Sequence, residues 1–434
     1  MKYLNRFYYI IIYFFVIEIS FQSYIIFPFK KVNKNNFLYP ENLLQNDLEI
    51  SLKIGTPPQN INLNLRSKAY TLFITSSEVK NVFPTFNETN SSSLIKETKT
   101  PDTYGGQEYS KGYKIYESII INEKIIKNVS LILATALVYR ESGALGLRLV
   151  DSHEYAGDLS FIYQIKNQAN LDNYAFSLKY DDDNHGLLII GSYPHLYDKN
   201  YNENNFYYTK AGKIRNNIDW VLDFDIIRYD NKTISSIITK SFIQIEFGLI
   251  QAPFKLKKFF NDSYFNNTCE KKYYNKRNIT ILHCDKNLDI TKFKNLSFIL
   301  KDINYEFILT YKDLFIEENN EYIFSIVFDN NIDNKDATWI LGEPFIKKYE
   351  LIYDLDRKII GLYNIKNGEN SENGENSENG ENGFNYLIIY IVLLIILLLI
   401  IIGLTIYIIY IVKKRRKNRA FELNDDNFDY IANN

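Results

Sequence analysis

The stretch Ile54-Gly55-Thr56-Pro57-Pro58-Gln59 lies between two segments in which apolar and polar residues alternate. The alternating apolar residues are Leu48, Ile50, Leu52 and Ile54 before the turn, and Ile61, Leu63 and Leu65 after it. A period of two predicts β-strands, and the Gly and Pro residues between them predict a turn. The sequence therefore predicts a strand-turn-strand unit near the N-terminus.

Most of the remaining chain shows the same β pattern. Further runs of β-branched and aromatic residues occur at 116–125, 187–190, 298–303 and 351–354, whereas helical patterns are few, at 160–168 and 255–260. More than 300 residues lie between the two apolar ends of the chain, and single hydrophobic cores of that size tend to split. We therefore expect a mainly β protein with two lobes.

Both ends of the 434-residue chain carry membrane-related patterns. Residues 386–412 form an uncharged apolar run long enough for a transmembrane helix, and the basic cluster that follows predicts a cytoplasmic tail, 413–434. Residues 1–23 resemble a signal peptide, with an uncleaved signal anchor as the alternative. These patterns predict a single-pass type I protein of the secretory pathway or cell surface, with its ectodomain lumenal or extracellular.

Two further segments flank the predicted β region. Residues 24–45 are interpreted as a short basic prosegment or as a flexible lead-in. Residues 367–383 repeat Glu, Asn, Gly and Ser without an apolar residue. Such a composition cannot bury a core, so this segment is predicted to be a disordered stalk.

Charge and motifs exclude several functional classes. The net charge of −2 indicates no attraction to nucleic acid. No His-Glu-x-x-His helix, paired Cys-x-x-Cys, phosphate-binding Gly-Lys-Ser/Thr loop or Gly-x-Ser-x-Gly elbow is present, so we expect no metal and no cofactor. The two cysteines, Cys269 and Cys284, are predicted to form one disulfide in an oxidising compartment, because nothing in the sequence supports a catalytic thiol.

Eight Asn-x-Ser/Thr sequons lie on the predicted lumenal side. An Asn-rich chain produces such triplets by chance, so glycosylation is permitted rather than established by them. The candidate residues are Asn87, Asn90, Asn128, Asn231, Asn261, Asn266, Asn278 and Asn295.

The turn quoted first resembles the strand-turn-strand of pepsin-like aspartic proteases. Further matches follow in the family's order, chiefly Gly143-Ala144-Leu145-Gly146-Leu147 and Trp339-Ile340-Leu341-Gly342-Glu343-Pro344-Phe345-Ile346. The resemblance implies a bilobed β fold with a peptide-binding cleft, an N-terminal lobe over 46–200 and a C-terminal lobe over 201–366. It also places the cysteine pair in the second lobe, where the family often has a disulfide.

The resemblance further implies that both catalytic aspartates are replaced. Counting from the turn, the first Asp-Thr-Gly falls on Arg66-Ser67-Lys68, and the second falls on Gln244-Ile245-Glu246. An aspartic protease activates water between two carboxylates that share a proton. Arginine is permanently cationic and glutamine cannot ionise. We hypothesise that Arg66 or Lys68 pairs with Glu246 across the lobes; drift with solvated side chains is the alternative.

One part of the substrate-binding machinery is predicted to remain. Tyr104 takes the place of the tyrosine on the family's flap hairpin, with an ordinary exposed turn as the alternative. Three functions are then considered: a non-catalytic pseudoprotease that binds a peptide or protein ligand, an active aspartic endopeptidase with atypical catalytic residues, and a surface interaction protein with an occluded cleft.

Overall fold

The structure is a computed structural model of the chain. It describes residues 24–32, 40–97, 109–137, 141–149, 160–214, 217–265, 268–274, 279–329, 338–363, 405 and 407–413. Residues 1–365 form one compact unit and 366–434 a second.

The first unit is mainly β. A large sheet of 13 strands has the order β11-β28-β27-β9-β10-β1-β2-β3-β8-β4-β7-β6-β5. Its strands are β1 (Ile25–Lys31), β2 (Leu48–Ile54), β3 (Gln59–Arg66), β4 (Leu72–Thr75), β5 (Ile95–Lys96), β6 (Tyr109–Ile121), β7 (Lys124–Leu137), β8 (Gly143–Gly146), β9 (Ala175–Tyr180), β10 (His185–Ile190), β11 (Phe206–Lys210), β27 (Ile352–Asp354) and β28 (Ile359–Tyr363).

Three smaller sheets come from the second half. A two-stranded sheet pairs β12 (Lys213–Ile214) with β13 (Asn217–Ile218). A sheet of nine strands contains β14 (Val221–Phe224), β17 (Thr239–Ile243), β18 (Ile250–Pro253), β19 (Cys269–Tyr274), β20 (Ile279–Asp285), β23 (Phe315–Glu318), β24 (Glu321–Phe324), β25 (Ile326–Asp329) and β26 (Trp339–Leu341). A sheet of four strands contains β15 (Ile226–Tyr229), β16 (Lys232–Ser235), β21 (Leu296–Leu300) and β22 (Tyr305–Leu309).

The α-helices that the structure describes in the first unit are short. They are α1 (Pro40–Leu44), α2 (Phe161–Ala169), α3 (Pro194–Tyr197), α4 (Lys255–Phe260), α5 (Tyr311–Leu314) and α6 (Glu343–Tyr349). The predicted helices at 160–168 and 255–260 are thereby confirmed. Helix α2 packs along the long strand β7, where Gln164 bonds the backbone of Ser130 on both its N–H and its C=O.

The quoted turn forms as predicted. The four alternating apolar residues of β2 are buried, and β2 pairs with β3 in antiparallel register. Gly55 has φ +94°, and a Cβ there would approach Phe86 and Ser91 to 3.0 Å. Only glycine fits both the backbone angle and the contact, so this turn depends on it.

Two copies of one strand arrangement organise the first unit. In the first copy, β8 lies between β3 and β4, parallel to β3 and antiparallel to β4. In the second, β26 lies between β17 and β18, again parallel to the first strand and antiparallel to the second. The outer strands β4 and β18 each pair in parallel with one further strand, β7 and β25. The two halves are therefore built on the same plan.

The register makes Arg66 and Gln244 equivalent. In each copy, one leucine of the middle strand lies opposite a residue of both flanking strands: Leu145 between Leu65 and Leu72, and Leu341 between Ile243 and Ile250. Arg66 and Gln244 directly follow the first flanking residue of each copy. They therefore occupy the same place in the two halves.

The segment before residue 46 is part of the sheet. Strand β1 lies between β10 and β2, and its side chains Ile25, Phe27 and Phe29 are buried. A flexible lead-in is therefore the wrong description of residues 25–31. Strands β11, β27 and β28 also join this sheet from the second half of the chain, so the sheet unites the segments predicted as two lobes.

Two strand predictions were too long. The run 116–125 is a hairpin, because Asn122 and Glu123 adopt positive φ between β6 and β7. The run 298–303 ends in a turn after Leu300, where Asn304 has φ +49°. In both cases the run of β-favouring residues extends across a turn that contains no glycine, so the sequence contains no signal for the end of the strand.

The disulfide between Cys269 and Cys284 is confirmed, and it joins opposite residues of β19 and β20.

Several predictions fall outside the described residues. They are the signal peptide 1–23, Tyr104, the stalk 367–383, the tail beyond residue 413, and Asn266 and Asn278. Within the described residues, no helix is long and apolar enough to cross a membrane; most of the run 386–412 lies outside them. Of the described sequon residues, Asn90, Asn128, Asn231 and Asn295 are exposed, and Asn87 and Asn261 are half-buried.

Phe29→Ala tests whether β1 stabilises the fold. The ring is buried against Tyr180, with ring centroids 5.1 Å apart. Its removal should lower the free energy of unfolding by about 3–5 kcal/mol in urea titration. Lys30→Ala, at an exposed position in the same strand, should change it by less than about 1 kcal/mol. Equal, small effects of both variants would show that β1 is dispensable.

Candidate functional site

Two loops meet where the duplicated strands end. The first central loop is Arg66-Ser67-Lys68, and the second central loop is Gln244-Ile245-Glu246. The first begins at the last residue of β3 and the second directly follows β17, so the shared strand plan makes them counterparts. The structure thus brings the two loops into contact through Ser67, Ile245 and Glu246.

Ser67 joins the two central loops. Its Oγ accepts a hydrogen bond from the Ile245 N–H at 3.0 Å and donates to Glu246 Oε2 at 2.6 Å. The Ser67 N–H donates to the same Glu246 oxygen at 2.9 Å. Both Ser67 and Ile245 are buried. Because Ile245 has no hydroxyl group, its side chain cannot donate a hydrogen bond back to the first loop. The Glu246 carboxylate instead accepts the hydrogen bonds that Ser67 donates.

Arg66 is held by carboxylates from two other segments. Its Nη2 lies 3.0 Å from Asp47 Oδ1 and 2.8 Å from Glu141 Oε2. The side chains of all three residues are largely buried, and Glu141 also accepts from the Asn64 amide at 2.7 Å. A buried cation requires such partners, because leaving it unpaired is strongly destabilising.

The surroundings keep Arg66 charged. Burial alone would lower the pKa of its guanidinium, but the charges of Glu141, Asp47 and Glu246 outweigh burial and raise the pKa above its ordinary value. Near the second central loop, burial raises the pKa of Asp219 despite its ion pair with Arg148 at 3.1 Å. The Glu246 charge contributes to both shifts, so it belongs to the same electrostatic cluster.

The hypothesis of an ion pair across the central loops is wrong in its details. Arg66 pairs with Asp47 and Glu141 within the described residues, and Lys68 is exposed. Glu246 accepts hydrogen bonds from Ser67 instead. The two loops are therefore joined by hydrogen bonds, while the cation is neutralised from outside them.

Residues 40–47, here called the N-terminal segment, lie directly on the second central loop. The Asn46 N–H donates to the Glu246 carbonyl at 3.0 Å, and the Asn46 side-chain amide donates to the Ile245 carbonyl at 2.9 Å. The Gly248 N–H donates to the Leu44 carbonyl at 3.2 Å. These bonds cover the polar backbone of the loop.

Apolar packing strengthens this cover. Leu43 and Leu44 share one buried cluster with Phe247 and Leu249. A Cβ at Gly248 would lie only 2.4 Å from the Leu43 carbonyl oxygen. The glycine is thus required by the close approach of the two backbones.

A cavity of ≈ 730 Å³ adjoins the N-terminal segment. Its lining includes Leu43, Asp47, Gly248, Ile316 and Glu343. Lys31 also lines it and forms an ion pair with Glu343 at 2.6 Å. Within the part of the chain that the structure describes, no group of His, Cys, Asp and Glu side chains could hold a metal ion.

Asp47, Glu141 and Asn46 were not predicted from the sequence. The one available signal was Arg66 itself, because a cation in an otherwise apolar strand end requires acidic partners. That signal gives the kind of partner but not its position, since Asp47 and Glu141 lie 19 and 75 residues away. Tyr104, the predicted flap residue, lies outside the described residues.

The family profile described as eukaryotic aspartyl protease matches residues 49–365. The chain belongs to the eukaryotic aspartyl protease family. The pepsin-like resemblance drawn from the turn at residues 54–59 is thus confirmed. The match spans both central loops and begins just after Asp47, so the N-terminal segment lies outside it. No curated protein matches the chain at a significant level.

Chemically, this pair of loops differs from two opposed carboxylates. At the equivalent positions it has a paired guanidinium and a neutral amide, and neither group can take a proton from water. Glu246 is an ionisable group between the loops, but its Oε2 already accepts two hydrogen bonds from Ser67.

Ser67→Ala tests the link between the central loops. It leaves the buried Ile245 N–H without a partner and removes one bond to Glu246, so the free energy of unfolding should fall by about 1–3 kcal/mol. Ser236→Ala removes a hydroxyl group at an exposed position and should change it by less than about 0.5 kcal/mol. Urea titration measures both, and an equally small effect of Ser67→Ala would contradict the structural role of the link.

Proposed function

We propose that this aspartyl protease family member is a non-catalytic pseudoprotease that binds a peptide or protein ligand. The observation that carries the proposal is that Arg66 is ion-paired with Asp47 and Glu141. Arg66 occupies the position in the first half that Gln244 occupies in the second. In the proposal, Arg66 and Gln244 stand where the family has its catalytic aspartates.

The aspartic mechanism depends on two adjacent carboxylates that share one proton, because two like charges so close cannot both ionise. A guanidinium whose pKa is raised further cannot replace either group. Glu246 would have to act alone. The arrangement therefore supports binding without hydrolysis.

The proposal also includes the setting of the protein. Residues 386–412 would anchor it in a secretory-pathway or cell-surface membrane, and residues 367–383 would serve as a stalk. The disulfide is consistent with an oxidising compartment, and the exposed sequon residues Asn90, Asn128, Asn231 and Asn295 are accessible to glycosylation. An anchored binding protein presents its ligand site at one membrane.

Peptide cleavage tests the loss of catalysis. The full chain, purified in detergent, should release no products from a broad peptide library between acid and neutral pH. A pepstatin-like inhibitor and the variant Glu246→Gln serve as controls, since neither should change the background. Inhibitor-sensitive cleavage would contradict the proposal and favour an active endopeptidase. Peptide retention without cleavage would identify the ligand class.

A second candidate is a surface interaction protein whose cleft is closed. The contacts of Leu44 and Asn46 with the second central loop favour it, because the chain itself occupies the polar groups that a bound peptide would use. In that case partners would bind to the outside of the lobes.

Gly248→Ala distinguishes an open cleft from a closed one. The added methyl group would meet the Leu43 carbonyl oxygen at 2.4 Å, so the N-terminal segment must move away from the loop. Hydrogen exchange of the Asn46 amide should then become faster, by about tenfold for each 1.4 kcal/mol of lost protection. Peptide binding should increase if the segment is displaceable.

Lys68→Ala is the matched control, because this exposed residue lies on the other central loop. Hydrogen exchange of the Asn46 amide in this variant should equal that of the wild type. Unchanged exchange at Asn46 in Gly248→Ala would contradict the described contact.

A further inference from the structure

Strand β23 forms one edge of the nine-stranded sheet. Within the part of the chain that the structure describes, it pairs with β24 alone. The open edge of a strand carries backbone N–H and C=O groups that can pair with another strand. Phe315, Ile316 and Glu317 of β23 also line the cavity beside the N-terminal segment. The open edge therefore adjoins a space that a ligand can enter.

The strand register shows which backbone groups point away from β24. The Ser325 N–H donates to the Leu314 carbonyl at 2.8 Å, so these opposite residues form a hydrogen-bonded pair. Bonded and non-bonded pairs alternate along an antiparallel ladder, which makes Phe315 and Glu317 non-bonded positions. Their backbone groups point to the open edge, where the Phe315 N–H donates to the Tyr311 carbonyl. The Phe315 C=O and both backbone groups of Glu317 are left for a ligand.

A buried hydroxyl group in the cavity lining points to the same kind of ligand. Ser325 lines the cavity with an exposed fraction of 0%, and its Oγ bonds to none of the described residues. A buried polar group without a partner is costly, so its presence favours a ligand that bonds to it. The carbonyl oxygen of a peptide can accept this bond. The hydroxyl group and the strand edge thus both fit peptide backbone.

The side chains beside the edge predict which residues an added strand would carry. Ile316 packs against the apolar cluster that contains Leu43, and both residues line the cavity. Cross-strand neighbours share one face of a sheet, so the ligand residue beside Ile316 should be apolar. Glu317 lies on the other face, is exposed, and pairs with Lys286 at 2.5 Å, so the ligand residue beside it should be polar. An extended peptide that alternates apolar and polar residues meets both conditions.

Charge has a minor part in this site. Each of the five carboxylates that line the cavity is already in an ion pair, for example Glu343 with Lys31 and Asp313 with Lys348, both at 2.6 Å. These pairs also include three of the four lysines of the lining. Backbone hydrogen bonds and apolar contact are therefore the main interactions left for a ligand.

We propose that the open edge of β23 binds an extended segment of a partner protein as an added β-strand. The segment would exchange hydrogen bonds with the backbone of Glu317 and accept one from Ser325 Oγ. The four residues of β23 span about 13 Å at the usual rise per residue. The open edge is not part of the two central loops, so the inference depends neither on the loss of catalysis nor on an open cleft.

Peptides with and without backbone N–H groups test this inference. Fluorescein-labelled peptides of about eight residues, long enough to cover β23, alternate apolar and polar residues and are titrated with the full chain in detergent. Fluorescence anisotropy measures their affinity. The same peptides methylated on every backbone nitrogen cannot donate to the strand edge, so they should bind at least about tenfold more weakly. Affinity should change little between low and high salt, because the site does not rely on charge.

Glu317→Pro removes the N–H that points to the open edge. Proline is tolerated in an edge strand when its nitrogen faces away from the ladder. The urea midpoint should therefore be kept, whereas peptide affinity should fall by at least about tenfold. Glu317→Ala is the matched control, because it removes the same side chain and keeps the N–H; its affinity should equal that of the wild type.

Ser325→Ala tests the buried hydroxyl group separately. Peptide affinity should fall by about two- to tenfold, as for the loss of one hydrogen bond. The urea midpoint should not fall, because this hydroxyl group bonds to none of the described residues. If Glu317→Pro does not fold, Ser325→Ala and the methylated peptides still decide the question.

Several results would overturn the inference. Equal binding of methylated and unmethylated peptides, or no binding of either, would exclude recognition through the backbone at this edge. Unchanged affinity in Glu317→Pro would mean that the peptide binds elsewhere, and would leave the proposed function intact. A dimer that light scattering detects and Glu317→Pro abolishes, without peptide binding, would make a second copy of the chain the occupant. Peptide cleavage by the chain would contradict the proposed function and not this inference.

Discussion

The buried guanidinium of Arg66 is the constraint on which the rest of the site depends. A cation at the end of a central strand cannot remain unpaired, and its partners come from two distant parts of the chain, Asp47 and Glu141. Asp47 ends the N-terminal segment, so the ion pair also fixes that segment above the central loops. The ion pair thus acts together with the apolar packing of Leu43 and Leu44 and the hydrogen bonds of Asn46 to hold the segment there.

The duplicated strand plan relates the two central loops to each other. Arg66 and Gln244 are related by strand register as well as by their place in the sequence. The Ser67 hydroxyl links the two loops by accepting a hydrogen bond from the Ile245 N–H, whereas the Ile245 side chain has no hydroxyl group to form an equivalent bond. The two equivalent strand ends therefore carry a buried guanidinium in one half and a neutral amide in the other.

Much of this could be predicted from the sequence, because it depends on local signals. Alternation predicted β2 and β3, the Gly-Thr-Pro-Pro turn predicted their connection, and two cysteines predicted one disulfide. The partners of Arg66 could not be predicted, because charge complementarity carries no information about sequence separation. The hairpin at Asn122 and Glu123 was missed because neither residue is the glycine that usually marks such a turn.

A double-mutant cycle between Arg66 and Glu141 tests the central claim most directly. The variants Arg66→Met, Glu141→Gln and the double variant are compared by urea unfolding. If Arg66 is a structural cation held by this carboxylate, the two changes will be non-additive, with a coupling energy of about 1–3 kcal/mol. Additivity within about 0.5 kcal/mol would contradict the ion pair between Arg66 and Glu141.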